Sequence, residues 1–210
     1  MNKQKKILIC PLDWGLGHAT RCMPLISYLL EKNCQVVIAG NGMTNQLLQA
    51  EFPNLQYLDL KAYNVHYSHK AAMLPLTLLK QIPRILSVIR FEHQWLQKVI
   101  SQHAIDIVIS DNRYGLHTTR IPCIFITHQL QIAVPQSRIA EKMLSFFNHR
   151  FIRRFSKVWV PDYPDHAMAG KLSVQHHLLK NVEFVGNLSR FEAVSHTGML
   201  YDKMILLSGP

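Results

Sequence analysis

Apolar positions along the chain fall into two patterns. Short apolar runs predict strands: Lys6-Ile-Leu-Ile-Cys10, continuous and buried, Gln35-Val-Val-Ile-Ala39, also buried, then Gln56 to Leu60, Ile105-Asp-Ile-Val-Ile-Ser110 and Cys123-Ile-Phe-Ile-Thr127 as the third, fourth and fifth. Val158-Trp-Val160 and Val182 to Val185 are weaker strand candidates. Between the runs lie longer amphipathic stretches. Pro24 to Lys32 and Met43 to Glu51 read as helices, the second stopped by Pro53. Residues 62–103 form a long connection. Pro75 and Pro83 argue there against one unbroken helix, while Ile85, Leu86, Ile89, Leu96, Val99 and Ile100 share a helical face. Tyr63, His66, Tyr67 and His69 precede that face, in a substrate-covering loop or an ordinary irregular connection. Ile- and Val-rich strands separated by helices predict an α/β fold with a parallel sheet. In such sheets ligands sit beyond the carboxyl ends of the strands.

The pattern changes near Arg190. Residues 1–190 read as one domain and 191–203 as a linker. Residues 204–210 open with Met204-Ile-Leu-Leu207 and read as the start of a truncated second domain; a closing strand of the same sheet is the alternative.

Composition narrows the options. The 210 residues are 48% hydrophobic and 17% charged, which excludes a disordered or collagen-like chain. With 23 Lys+Arg against 13 Asp+Glu the net charge is +10, favouring phosphorylated substrates, anionic headgroups or nucleic acid as partners. No apolar run reaches the ~18–20 residues of a membrane span. The basic start, Met1 to Lys6, precedes too short an apolar run for a secretory signal. Cys10, Cys22, Cys34 and Cys123 lack C-x-x-C spacing and read as free thiols of a reducing cytosol.

Candidate chemistry gathers at strand ends. After the first strand comes Pro11-Leu-Asp-Trp-Gly-Leu-Gly-His-Ala-Thr-Arg21. Gly15 and Gly17 permit positive φ and close backbone approach, and a helix start there can hold an anion. A nicotinamide site is disfavoured: Thr20 replaces the third glycine, and the second strand ends Ala39-Gly40-Asn41 without an acidic residue. His18 is placed for a general base, or for a hydrogen bond within the loop. Asp111, after the fourth strand, either orients an imidazole or caps a helix. Thr127, His128 and Gln129 follow the fifth strand as substrate contacts or as strand-end polarity. Trp14 stacks on a sugar or packs on the sheet edge.

Arg138 to Lys157 reads as a basic amphipathic helix. Phe147, Phe151 and Phe155 recur in line with Ile139 and Met143, amid Arg138, Lys142, Arg150, Arg153, Arg154 and Lys157. It lies on an anionic membrane surface through residues such as Arg150, Phe151, Arg153 and Arg154, or turns its aromatic stripe to the core. No RNP-like, zinc or helix-turn-helix signature supports nucleic acid, which is not expected as a partner.

Taken in order, the glycine loop with His18, Asp111 after Val108-Ile-Ser110, Ile121-Pro-Cys-Ile-Phe-Ile-Thr-His-Gln129 and Val182-Glu-Phe-Val-Gly-Asn-Leu-Ser-Arg-Phe191 resemble the N-terminal domain of GT-B glycosyltransferases. The resemblance is to the bacterial group that includes the UDP-N-acetylglucosamine transferase of peptidoglycan synthesis. It implies a Rossmann-like parallel sheet with helices on both faces, the acceptor-binding half of a two-domain enzyme. The implied reaction is inverting transfer of a hexose from a nucleotide-sugar, a UDP-sugar, to a hydroxyl of a sugar or lipid-linked acceptor. The implied catalytic pair is His18 and Asp111, although in the peptidoglycan enzyme the matching loop contacts phosphate or acceptor. Trp14, Gly15, Gly17, Thr127, His128 and Gln129 would meet the acceptor. No cofactor and no metal is implied. The donor would be bound mainly by a second domain, leaving this chain inactive alone, in the cytoplasm or peripheral on the inner face of the cytoplasmic membrane. Two rivals stand beside it. One is a sugar-nucleotide epimerase of the same fold, using Asp13 and Asp111. The other is a non-catalytic Rossmann-like module docking through its basic face.

Overall fold

The structure, a computed structural model, describes residues 4–63, 74–132, 138–174 and 179–191. Its centre is a seven-stranded sheet in which every pairing is parallel. In chain order the elements are β1 (Lys6–Cys10), α1 (Leu16–Glu31), β2 (Gln35–Gly40), α2 (Gly42–Glu51), β3 (Gln56–Asp59), α3 (Leu74–His103), β4 (Ile107–Asp111), β5 (Cys123–Ile126), α4 (Arg138–Ile152), β6 (Lys157–Val160) and β7 (Val182–Phe184). A 3-10 turn at Gly170–Leu172 lies before β7. The strand order is β3-β2-β1-β4-β5-β6-β7.

Alternation within the apolar runs sends side chains into two cores. On one face Ile7, Ile9, Val36, Ile38, Ile109 and Ile126 pack with Ala19, Cys22, Met23 and Ile26 of α1 and with Leu48 of α2. On the other, Leu8, Val37, Val108, Phe125 and Val158 pack with Leu96, Val99 and Ile100 of α3 and with Ile152 of α4. Helices therefore cover both faces, which is why the central strands β1, β2, β4 and β5 are mostly apolar, while the edge strands β3 and β7 carry exposed Gln56, Asp59 and Glu183. The result is the expected Rossmann-like α/β architecture. Both weaker strand candidates are present, as β6 and β7, and they extend one edge.

Three local expectations differ. Helix α1 begins at Leu16, eight residues before Pro24, which lies inside it. Helix α3 is continuous from Leu74 with Pro83 inside. Pro75 sits in its first turn, where a backbone N–H has no intrahelical partner to lose. Pro83 removes one hydrogen bond, and burial of Val88, Ile89, Leu96, Val99 and Ile100 offsets it. Helix α4 is turned over relative to its apolar stripe. Met143 and Phe147 are exposed, Phe151 is half-buried against Tyr114, and Phe155 lies beyond the helix end and is buried.

The inward face of α4 carries Ser145, Asn148, His149 and Ile152 instead. Asn148 accepts from the Tyr114 hydroxyl at 2.8 Å and donates to the Gln129 carbonyl at 2.9 Å. His149 Nε2 donates to the Leu130 carbonyl at 2.8 Å. Ser145 Oγ accepts from the Ile132 N–H at 3.2 Å. Specific hydrogen bonds to the loop after β5 thus outweigh the apolar period. The four cysteines carry free thiols. His66, Tyr67 and His69, and the proposed linker and second-domain start beyond Phe191, lie outside the described residues.

Candidate functional site

Strand order reverses between β1 and β4, which pair side by side with Cys10 opposite Ser110. A crevice at the carboxyl ends is expected at such a switch point. His18 and Asp111 sit there. Gly15 precedes α1 with φ of +83°, a conformation side chains rarely adopt, so the chain turns from β1 into the helix within a few residues. Gly17 is helical rather than positive in φ, and open space lies where its side chain would stand. His18 is thereby the third residue of α1. Asp111 is the last residue of β4, fully buried; the chain continues through Asn112 at φ +54° and into a loop. No helix begins there, so Asp111 caps none.

His18 Nδ1 lies 2.9 Å from Asp111 Oδ2. Arg21, one turn along α1, joins them. Its Nε donates to Asp111 Oδ2 at 2.9 Å, its Nη2 donates to Asp111 Oδ1, and the same Nη2 lies 2.8 Å from His18 Nδ1. Arg21 Nη1 reaches His128 Nδ1 at 3.4 Å. His18 and Arg21 side chains are 15% and 14% exposed, so the cluster is reached from the crevice while its carboxylate is sealed. Burial lowers the His128 pKa, and the nearby Arg21 cation and His18 lower it further, so His128 favours the neutral form.

The other expected contacts separate. Thr127 is buried, and its Oγ1 accepts from the Gln129 N–H at 3.0 Å; it builds the turn after β5. The Gln129 carbonyl supports α4. Of these three residues only His128 joins the cluster. Trp14 is exposed beside the glycine turn and meets Tyr63 edge-on, ring centres 6.1 Å apart. Arg150, Arg153 and Arg154 are exposed around the end of α4, away from this crevice in sequence and contacts, and Arg154 covers the Phe151 ring at 5.2 Å.

Sequence reasoning missed Arg21, Arg113 and Glu92. Arg21 closes the glycine–histidine motif, and its spacing of three from His18 at a helix start was the available signal. Arg21 and His128 also line a cavity of about 430 Å³, walled by Pro161, Met168, Leu172 and Leu188. That wall is fixed by Asp162. Its buried carboxylate accepts from the backbone of Tyr163, Met168 and Ala169 and from Ser173 Oγ. Burial alone would raise its pKa, but these donors prevail and hold it down to about 2. Among the described residues no three His, Cys, Asp or Glu side chains cluster as metal ligands.

No protein-family model matches the chain. It is 24% identical over 205 residues to an uncharacterized glycosyltransferase of Methanosarcina acetivorans, spanning 88% of this chain and 50% of that protein. Among solved structures it is similar to Acinetobacter baumannii MurG, with a TM-score of 0.51, 14% identity, and coverage of 90% of this chain and 47% of the other. It is similar also to Phytolacca americana UGT2 complexed with UDP-2fluoro-glucose and pterostilbene (TM-score 0.54, 14% identity, 90% of this chain and 55% of the other). Arabidopsis thaliana UGT89C1 complexed with UDP-L-rhamnose gives a TM-score of 0.55 at 14% identity, over 96% and 53%. The fold is that of one half of a GT-B glycosyltransferase, as the sequence resemblance implied. The chain spans about half the length of these relatives.

Proposed function

We propose that the chain is the acceptor-side half of an inverting, metal-independent glycosyltransferase. The observation that carries this reading is the His18–Asp111 pair, 2.9 Å apart, at the switch point of the sheet. The likeness to a glycosyltransferase sequence and to GT-B structures supports it. In its base form, with an Nδ1 proton hydrogen-bonded to Asp111, His18 presents an unprotonated Nε2. That nitrogen takes the proton of an acceptor hydroxyl as the oxygen attacks the anomeric carbon of the donor sugar. The bond from that carbon to the diphosphate breaks, and its electron pair leaves with the nucleoside diphosphate. Asp111 balances the imidazolium so formed.

The donor is a UDP-sugar held mainly by a second domain, with residues 191–203 as linker and 204–210 as its start. The acceptor lies against Trp14, the Gly15–Gly17 turn and His128. No cofactor takes part. The enzyme works in the cytoplasm, peripheral on an anionic membrane surface where lipid-linked acceptors reside.

The test is turnover in a chain carrying both halves. His18→Ala should lower it about 10²–10⁴-fold, the range of general-base contributions, with donor affinity unchanged. Unchanged turnover removes the base assignment and leaves His18 a phosphate or acceptor contact.

A further inference from the structure

His18 Nδ1 has two claimants of opposite demand. Asp111 Oδ2, at 2.9 Å, can only accept a proton from it. Arg21 Nη2, at 2.8 Å, can only donate one to it. A single ring nitrogen cannot satisfy both. The guanidinium is charged at any working pH and never accepts. Its own hydrogens decide the matter. The Nε hydrogen goes to Asp111 Oδ2 and one Nη2 hydrogen to Asp111 Oδ1. The second Nη2 hydrogen has His18 Nδ1 as its acceptor. Asp111 is thus already engaged by a two-pronged ion pair, the strongest geometry available to a carboxylate. Were Nδ1 protonated, its N–H would face a guanidinium N–H at 2.8 Å; bare, it faces the Asp111 Oδ2 lone pair at 2.9 Å, with the Arg21 cation donating to both acceptors.

We propose that Arg21 is a positioning residue that sets which nitrogen of His18 carries the proton. In the pairing described above, Nδ1 accepts from Arg21 and the ring proton sits on Nε2. His18 is then a donor, not a base. The base form is reached when the guanidinium turns away from Nδ1, toward the cavity it lines with His128. Nε2 then releases its proton to solvent while Nδ1 takes one up, the Nδ1–H donates its hydrogen bond to Asp111 Oδ2, and Nε2 is bare. This inference rests on the reading of His18 as the base and adds a gate to it. Among the described residues, the charged and titratable groups about the pair are Arg21 on α1, against both His18 and Asp111, Cys22 on α1, against Asp111, and His128 after β5, against Arg21, with Asp162 after β6 acting on His128.

The two tautomers differ in their imidazole ¹⁵N shifts, which can be read on this chain alone at a pH where the ring is neutral. In the wild type, His18 should show a protonated Nε2 and a bare Nδ1. In Arg21→Gln the two ¹⁵N shifts should exchange places. Arg21→Lys, whose ammonium cannot span Asp111 and the ring as a fork, should give the same exchange. A wild type with Nδ1 protonated overturns the inference without any variant. So does a doubly protonated ring, since an imidazolium cannot accept from a guanidinium. Unchanged shifts in a folded Arg21→Gln overturn it as well. The base reading fails differently, by retained turnover in His18→Ala, and that result would leave the tautomer measurement standing.

Discussion

At the scale of single residues, a buried ion network ties the glycine turn to the rest of the molecule. Arg113 is fully buried and branches in four directions. It donates to the Pro11 carbonyl at 2.9 Å, the Lys61 carbonyl at 3.1 Å, Glu92 Oε1 at 2.9 Å and Asp13 Oδ1 at 3.2 Å. Glu92 is also fully buried and accepts from the Tyr63 hydroxyl at 2.8 Å and the Gly115 N–H at 2.9 Å. Burial pushes the Glu92 carboxyl up, opposed by the Arg113 cation and these donors. Gly115 is obligatory, because a side chain there would overlap the Ile89 carbonyl and Glu92. One side chain thus holds the exits of β1 and β3 against α3. Arg113→Met keeps the volume but leaves Glu92 buried without its cation. It should destabilise the fold by about 3–5 kcal/mol, the cost of breaking a buried pair from one side. Urea unfolding measures it, and a loss under about 1 kcal/mol, the worth of an exposed pair, would mean the network is not what secures the loop.

At the scale of elements, strands were legible and helix boundaries were not. Four of the five runs form strands that are largely buried, with few polar residues to disguise them, whereas β3, at the sheet edge with exposed Gln56 and Asp59, was legible from its position after α2. A helix start was read after the glycine turn, but the amphipathic range was drawn only from Pro24, because Gly15, Gly17 and Pro24 weaken the helical pattern of the first turns. The prolines of α3 read as breaks because propensity is local, whereas the apolar face that overrides it is formed with the sheet. The two chemical residues at strand ends, His18 and Asp111, were legible from their position. The family resemblance implied that they pair across 93 residues, and the 2.9 Å contact brings them together. Arg113 and Glu92 escaped because nothing local in the sequence marks either as the other's partner.

Helix α4 shows the cost of assuming that apolar means inward. Its buried side is mostly polar, with Ile152 the apolar exception, and Met143, Phe146 and Phe147 stand 57%, 59% and 51% exposed. Arg150 and Arg153 continue that face, three and six residues beyond Phe147, and both are exposed. An apolar patch beside a basic one is the combination that inserts into an anionic interface. Co-sedimentation with vesicles containing anionic lipid should occur at low salt. It should weaken with added salt, since each basic side chain near the surface contributes about 1 kcal/mol. Phe146→Ser with Phe147→Ser should reduce binding at every salt concentration. Absence of binding at low salt would remove the membrane surface from the proposed function and leave this face to a protein partner.

At the scale of the whole molecule, the question is where a nucleotide would bind. The described chain has its own two-sided core and a crevice at the β1–β4 switch point. Its α1 N-terminus is bare, with no side chain within 4 Å of the positions a Cβ would take at Gly15 or Gly17. Such a terminus can hold an anion. Three side chains beyond it favour a different role. Arg21 is occupied by Asp111, and His128 and His18 are imidazoles crowded against that guanidinium. The net +10 charge would draw any diphosphate toward the molecule without giving it a specific seat. If the division of labour proposed above holds, calorimetric titration of the 210-residue chain with UDP should give no saturable heat at micromolar concentrations. Saturable micromolar binding, abolished by placing a side chain at Gly17, would put the nucleotide on the glycine turn itself. The acceptor would then need another site. The cavity of about 430 Å³ between Arg21, His128 and the Asp162-built wall has an apolar lining that could take it.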